Sequence, residues 1–340
     1  MNAHTLSRRA LLRGLGASAA LVLGRGILGR AQATSVKIAV IPGSINFADV
    51  YAGVTQGFFA DQGLKVELVS FLNGALANNA LASGGVDFAP LPGGYVPFVR
   101  PAGLPHKIVA ARTRLNSFSL VSSLALPTGE LNLEPLRGQT LAIEALGATI
   151  TWAVAINYLQ KAGLDPDSDV KLVALGGRAA ASAALQSGQA VASVLDGPSD
   201  EQLVQSGAAT RWIDPLVPAQ HKRWIGNAEE LALAWITRED VIATKPDTVN
   251  ALVQAANSAL LFLNDSTAEA LAPSVAPFFE GLEATTLNAS LERYLQTLAP
   301  DVTISRRLYE NDLQKWIDLK LVSSVPFEAA VEGSFAGTRD

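Results

Sequence analysis

Not one cysteine occurs in the 340 residues, which removes disulfides, thiolate catalysis, thiolate zinc sites and iron–sulfur ligation together. Histidine is almost as scarce. Of the three present, His4 lies in a leader-like segment, and His106 and His221 stand too far apart in the chain for a ligand-like spacing, so no metal site is expected and both are placed at the surface or a lobe edge. Positive charge is also short. Lys and Arg total 26 against 31 Asp and Glu, and five of the cations (Arg8, Arg9, Arg13, Arg25 and Arg30) fall in the first 33 residues, leaving 21 against 31, or −10, in the remainder. A surface of that sign, with no run of Lys or Arg outside the leader, repels phosphate backbones and argues against nucleic acid as a partner.

Catalytic signatures are missing as well. There is no G-x-S-x-G, no H-E-x-x-H, no G-x-x-x-x-G-K-[ST], and no G-x-G-x-x-G after the first strand-like run. Binding without chemistry is the simpler account, with no catalytic residue and no cofactor expected. Hydrophobic residues make up 49% and charged residues 17%, the balance of a well-packed globular chain rather than a disordered one. At 340 residues one core stops growing, and two lobes are expected.

The N-terminus resembles an export signal. Ser7-Arg8-Arg9-Ala10-Leu11-Leu12-Arg13 matches the twin-arginine motif, a short apolar stretch follows, and Ala31-Gln32-Ala33 supplies a small-x-small cleavage pattern. The apolar stretch, broken by Arg25, falls short of the roughly 20 residues that span a bilayer. Cleavage before Thr34 into the periplasm follows, and without a cysteine for lipid attachment the product is expected to be untethered.

From Val36 the pattern is strand, loop, helix. Val36–Ile41 reads as a strand, Ala48–Phe59 as a helix, Lys65–Ser70 as a strand, Ala75–Ala82 as a helix and Val86–Ala89 as a strand. The grammar returns with Lys171–Leu175, Ala179–Leu185 and Val191–Leu195, and the two helices end alike in Ser83-Gly84 and Ser187-Gly188. Two similar α/β lobes are expected: lobe 1 from residues 34–124 and 231–340, lobe 2 from 125–230. Mainly parallel sheets flanked by helices should form each.

In open α/β sheets ligands sit beyond the strands' carboxyl ends, where helix N-termini offer free N–H groups. The loops at those positions supply Ser44, Asn46, Phe47, Asn73, Gly94 and Tyr95 from lobe 1, Asn116 from the first crossing, and Gly147, Thr149, Trp152, Arg178 and Asp196 from lobe 2. Gly147 and Thr149 suit an anionic head, Arg178 adds a cation, Asp196 can accept from an amine or hydroxyl, and the three aromatics can line an apolar pocket. Each has a structural alternative as a turn, cap, surface ion pair or core residue.

Three runs carry a resemblance: Gly57-Phe58-Phe59-Ala60-Asp61-Gln62-Gly63-Leu64-Lys65-Val66, Leu81-Ala82-Ser83-Gly84-Gly85-Val86-Asp87-Phe88, and Leu136-Arg137-Gly138-Gln139-Thr140-Leu141. They are similar to the nitrate/sulfonate/taurine group of ABC-transporter substrate-binding proteins, whose relatives bind thiamine-precursor pyrimidines. The resemblance implies a two-lobed type II binding protein that closes on a small molecule by hinge motion and presents it, as a monomer, to an inner-membrane permease. Because Arg178 is the only cation in the named loops, an organic sulfonate or aromatic or organic acid is expected over nitrate. A pyrimidine or other heterocycle, a lyase-like enzyme on the same scaffold and a sensor lobe are the competing readings.

Overall fold

The computed structural model describes residues 33–127, 131–147 and 149–340. The export signal read over residues 1–33 lies outside them except for Ala33.

From the first strand the chain runs β1 (Thr34–Val40), α1 (Ala48–Thr55), α2 (Phe58–Asp61), β2 (Leu64–Ser70), α3 (Gly74–Ala82), β3 (Ala89–Pro92), α4 (Tyr95–Val99) and β4 (His106–Thr113). It continues through β5 (Ser119–Ser122), β6 (Thr140–Ile143), α5 (Ile150–Lys161), β7 (Lys171–Ala174), α6 (Arg178–Gln186), β8 (Ala192–Leu195), α7 (Ser199–Gln205), β9 (Thr210–Ile213) and α8 (Pro218–Trp224). The return is β10 (Leu233–Arg238), α9 (Glu239–Thr244), α10 (Pro246–Asn264), α11 (Ala268–Val275) and α12 (Ala284–Leu295). The C-terminal part adds β11 (Ile304–Ser305), α13 (Arg306–Asp318), α14 (Phe327–Ala330) and β12 (Thr338–Arg339).

Two sheets organise the molecule, and they share one topology. In the second sheet the order is β7-β6-β8-β5-β9. In the first, β2 pairs with β1, an Ile38–Phe88 bridge joins β1 to the segment leading into β3, and β3-β10-β4 completes the series. Both therefore place the second strand outside the first, then the third, then a strand that has crossed from elsewhere in the chain. The crossing strands β5 and β10 run antiparallel to their neighbours, while β1–β2 and β6 with β7 and β8 are parallel. This is the two-lobed binding-protein architecture. Since β5 already belongs to the second sheet, the strand pairing puts the first crossing at residues 114–118, ahead of the 124/125 boundary.

The repeat in the sequence reflects matched local chemistry. Asn73 caps α3 by accepting the Leu76 N–H at 3.1 Å, and Gly177 takes the equivalent extended position before α6. Both helices then end on a serine followed by a left-handed glycine, Gly84 at φ 78° and Gly188 at φ 75°, a conformation glycine adopts without steric cost.

Elsewhere the structure departs from periodicity for identifiable reasons. The helix expected over 48–59 breaks because Gly57 sits at φ 82°. The third strand starts at Ala89 rather than Val86, because Lys37 O accepts both Asp87 and Phe88 N–H groups while the Asp87 carboxylate accepts the Lys37 N–H. His106 and His221, expected at the surface or a lobe edge, are 0% and 2% exposed. Burial drives the His106 pKa down to about 4.

Each sheet has its own core. Residues such as Ile38, Phe88, Ile108, Trp235 and Leu252 pack around the first, and Leu120, Leu141, Tyr158, Trp212 and Trp224 around the second. Trp316, near the end of α13, packs into the second core although its helix begins beside β11.

Candidate functional site

Between the two sheets lies a small cavity of about 20 Å³, the room of about one water molecule. Its lobe 1 wall carries Ser44, Asn46, Phe47 and Tyr95, and the opposing side carries Phe118, Glu144, Ile150 and Arg178. The lining is apolar apart from a few polar groups that converge on Arg178.

Arg178 opens α6 and is 7% exposed. Its Nη2 lies 2.9 Å from Asp196 Oδ1 and 3.2 Å from Glu144 Oε1. Glu144 and Asp196 each sit one residue beyond the end of a parallel strand, β6 and β8 respectively. Burial opposes charge on Arg178, yet the two carboxylates outweigh it and raise its pKa. Burial pushes the Asp196 carboxyl up, against the pull of Arg178 and Ser44. The trio thus holds two acids and one base.

Asp196 also fastens the lobes together. Its Oδ2 accepts from Ser44 Oγ at 2.5 Å and from Asn46 Nδ2 at 2.9 Å, and Ile45 N–H donates to Gly197 O at 2.8 Å. Asn46 is itself placed by Arg112, whose Nη2 donates to Asn46 O and whose Nε donates to Asp49 Oδ2 at 2.8 Å. Tyr294 Oη donates to Asp49 Oδ1 at 3.0 Å. A second clasp runs from Asn73 Nδ2 to Gly176 O at 3.0 Å, and a third pairs Arg293 of α12 with Asp214, at 2.9 and 2.8 Å.

Four buried polar atoms in the trio have no hydrogen-bond partner among the described residues: Arg178 Nε, Arg178 Nη1, Glu144 Oε1 and Asp196 Oδ1, of which Glu144 Oε1 lies at ion-pair distance from Arg178 Nη2. Asp196 Oδ1 lies at ion-pair distance from the same nitrogen. Buried groups in folded proteins are nearly always satisfied, and leaving one unmade costs about 1–3 kcal/mol. Two donors therefore lack a complement beside the cavity, and two acceptors have only the ion pair to Arg178 Nη2.

The other residues expected at the site are distributed differently. Gly94, Gly147, Thr149 and Trp152 line an adjacent, apolar cavity of about 30 Å³ that shares Tyr95 and Ile150 with the first. Thr149 caps α5, accepting from Trp152 N–H at 3.4 Å and donating to Ala145 O at 2.9 Å. Asn116 accepts the Phe118 N–H at 2.8 Å and faces a third cavity with Lys315 and Asp312. Asn73 serves as helix cap and interlobe clasp. Sequence reasoning missed Glu144 and Phe118; Glu144 had the same signal as Asp196, a carboxylate just past a strand end.

No group of histidines and carboxylates suited to holding a metal occurs among the described residues, nor does any helix among them have the length and apolarity to cross a membrane.

The fold is that of the two-lobed type II periplasmic binding proteins. Residues 44–270 match the NMT1/THI5-like family model, and the chain belongs to that family. It is 21% identical over 318 residues to a putative binding protein, YtlA, of Bacillus subtilis, covering 89% of each chain. Among solved structures it resembles a protein from Bordetella bronchiseptica at 23% identity and TM-score 0.78, covering 89% of this chain and 95% of that one. It also resembles the alkanesulfonate-binding protein SsuA of Xanthomonas axonopodis bound to MOPS, at 16% identity and TM-score 0.70, covering 89% and 99%.

Proposed function

We propose that this protein is the periplasmic capture component of an ABC importer and that its cargo is a small, flat nitrogen heterocycle, neutral or cationic, of the aminopyrimidine kind. The importer role is supported by the family and by the names of proteins sharing the fold, one of which is the ligand-binding component of an ABC-type import system. No catalytic step is assigned to the site.

The observation that carries the choice of cargo is the set of unanswered atoms at Arg178 and Glu144. A heterocycle with a ring nitrogen beside an N–H presents an acceptor next to a donor and complements both residues. An anion answers only the guanidinium and meets Glu144 as a like charge. Arg178 is already neutralised by two acids, so the anion site expected from its presence in a loop is spent on the protein's own carboxylates. Phe47 and Phe118, one from each core, supply aromatic surface on both sides.

The organic-sulfonate reading keeps one support, the two free guanidinium nitrogens together with the sulfonate named for a structural neighbour. A thermal-shift screen separates the two, since a ligand that binds only the folded state raises Tm by mass action. Aminopyrimidines should raise Tm, while taurine, alkanesulfonates and nitrate should not. A rise with sulfonates alone refutes the heterocycle.

A further inference from the structure

Helix α13 reaches across the hinge. Its Leu308, Tyr309 and Leu313 pack into the first core and its Trp316 into the second, so it belongs to both halves of the molecule. It also lies along the two crossings, residues 114–118 and the stretch 225–232 that precedes β10. Asn311 Nδ2 donates to Glu229 O at 2.8 Å, Leu231 N–H to Leu308 O at 2.9 Å, and Glu230 N–H to Arg114 O at 2.9 Å. Lobes that part must bend these crossings beside α13.

Where helix and second crossing meet, three ionisable side chains are buried together. Lys315 Nζ donates to Glu230 Oε2 and stands 3.0 Å from Asp312 Oδ1, which also accepts from Trp316 Nε1 at 3.0 Å. Two acids share one base, so the cluster is net negative unless one acid holds a proton. A buried net charge is costly. The carboxyl that takes the proton is Asp312: burial, with Glu230 adding to it, pushes its pKa up to about 7 against the pull of Lys315 and Trp316. Tyr309, also on α13, is kept neutral by burial. The first crossing offers Asp312 only the uncharged Asn116 and Ser117, and the turn before α4 approaches with Gly93, where an added Cβ would stand 3.6 Å from Asp312 Oδ2. On α5, Lys161 and Tyr158 interact with Lys315 and Glu230 respectively.

Asp312 borders a cavity of about 10 Å³, at the lower limit for one water. Its walls come from both halves, Phe118 and Ile150 on one side and Ala232 and Leu233 on the other. Parting the lobes widens this space and wets the carboxylate, which returns toward its ordinary range. We infer that lobe closure takes up a proton at the hinge, on Asp312, so that the closed form gains on the open one as pH falls. The inference uses the capture reading for the hinge motion alone and is independent of the cargo's identity. In the open form Asp312 is ionised above about pH 4, whereas the closed form keeps its proton up to about pH 7. Between these values the closed form binds more protons, and the closed-to-open ratio should rise about tenfold from about pH 8 to about pH 6.

Because the chain contains no cysteine, Gln62→Cys and Gln189→Cys, one exposed position in each half, accept a pair of spin labels without competition. Pulsed dipolar distances on the cargo-free protein, taken between about pH 5.5 and about pH 8.5 to bracket the transition, report the open and closed populations. The closed population should grow as pH falls in the labelled parent and stay constant in Asp312→Asn. Glu230→Gln removes the like charge beside Asp312, so it should lower the midpoint by on the order of one pH unit; it decides the matter if Asp312→Asn folds poorly. A population that ignores pH in the parent, a pH response that Asp312→Asn leaves intact, or an unmoved midpoint in Glu230→Gln overturns the inference. The measurement needs no cargo, so its failure leaves the heterocycle reading standing, and a failed ligand screen leaves the proton-linked hinge standing.

Discussion

Glu144→Gln keeps the side chain's shape and removes the charge that sets the chamber's preference. In the wild type, Glu144 Oε1 is buried, lies 3.2 Å from Arg178 Nη2 and accepts no hydrogen bond from the described residues. A heterocycle donating to it forms a charge-assisted bond, a class that contributes about 1.5–3 kcal/mol. Gln still offers an amide oxygen, so the cost is the difference between a charged and a neutral acceptor, about 0.5–1.5 kcal/mol, and aminopyrimidine binding weakens about 2- to 13-fold. The same substitution removes a like charge from the path of an anion. At an effective dielectric of about 20, two unit charges about 4 Å apart interact by roughly 4 kcal/mol, so sulfonates should gain tenfold or more even after screening. Arg178 is not orphaned, because Asp196 stays 2.9 Å away, and the melting temperature of the variant reports whether the site survives. Calorimetry on protein stripped of cargo by unfolding and refolding gives both affinities. Heterocycle binding unchanged by the substitution, or sulfonate binding abolished by it, refutes the reasoning.

Three further outcomes follow from the same contacts. Arg293→Ala removes the bidentate clasp to Asp214 and should weaken cargo binding about 5-fold by destabilising the closed form by about 1 kcal/mol; small-angle scattering should show a larger mean radius at subsaturating cargo, and an unchanged Kd contradicts it. Burial pushes the Asp312 pKa up to about 7 despite Lys315 beside it. The folded state then holds a proton that the unfolded chain has released, so this group's contribution to stability declines as pH rises from about 4 to about 7. Asp312→Asn should flatten that slope in urea melts, and parallel profiles for the two proteins contradict the assignment. Gly74→Ala forces the Tyr95 hydroxyl away at about 1–3 kcal/mol. Because Tyr95→Phe removes the clashing oxygen, the double variant should melt above Gly74→Ala alone, and no recovery counts against the close contact.

Much of the scaffold could be read directly because its signals are local. Asn73 at an N-cap, Gly84 and Gly188 at helix ends, and the alternation of apolar runs report their own conformation within a few residues. The two-lobe duplication followed from those signals, and the matched strand orders agree with it. Strand ends and crossings were less legible. Ser119–Ser122 belongs to the second sheet because of pairing with β8 and β9, a long-range fact that its own residues do not encode. The site divides the same way. Ser44, Asn46, Phe47, Tyr95, Arg178 and Asp196 meet around one chamber or its clasp because all lie at strand ends, whereas Trp152 and Gly147 face the neighbouring one. That Arg178 is neutralised by Glu144 depends on a contact across β6 and α6, and composition offers no hint of it. Trp316 in the apolar chamber arrives from α13, about 160 residues after Trp152, and only packing brings them together.

A crystal structure of the protein soaked with 2-aminopyrimidine tests the central claim most directly. The account predicts a ring between Phe47 and Phe118, its ring nitrogen accepting from Arg178 and its amino group donating to Glu144 at hydrogen-bond distance. An empty chamber at saturating aminopyrimidine, with an alkanesulfonate instead binding Arg178 and Glu144 turned away, would contradict it.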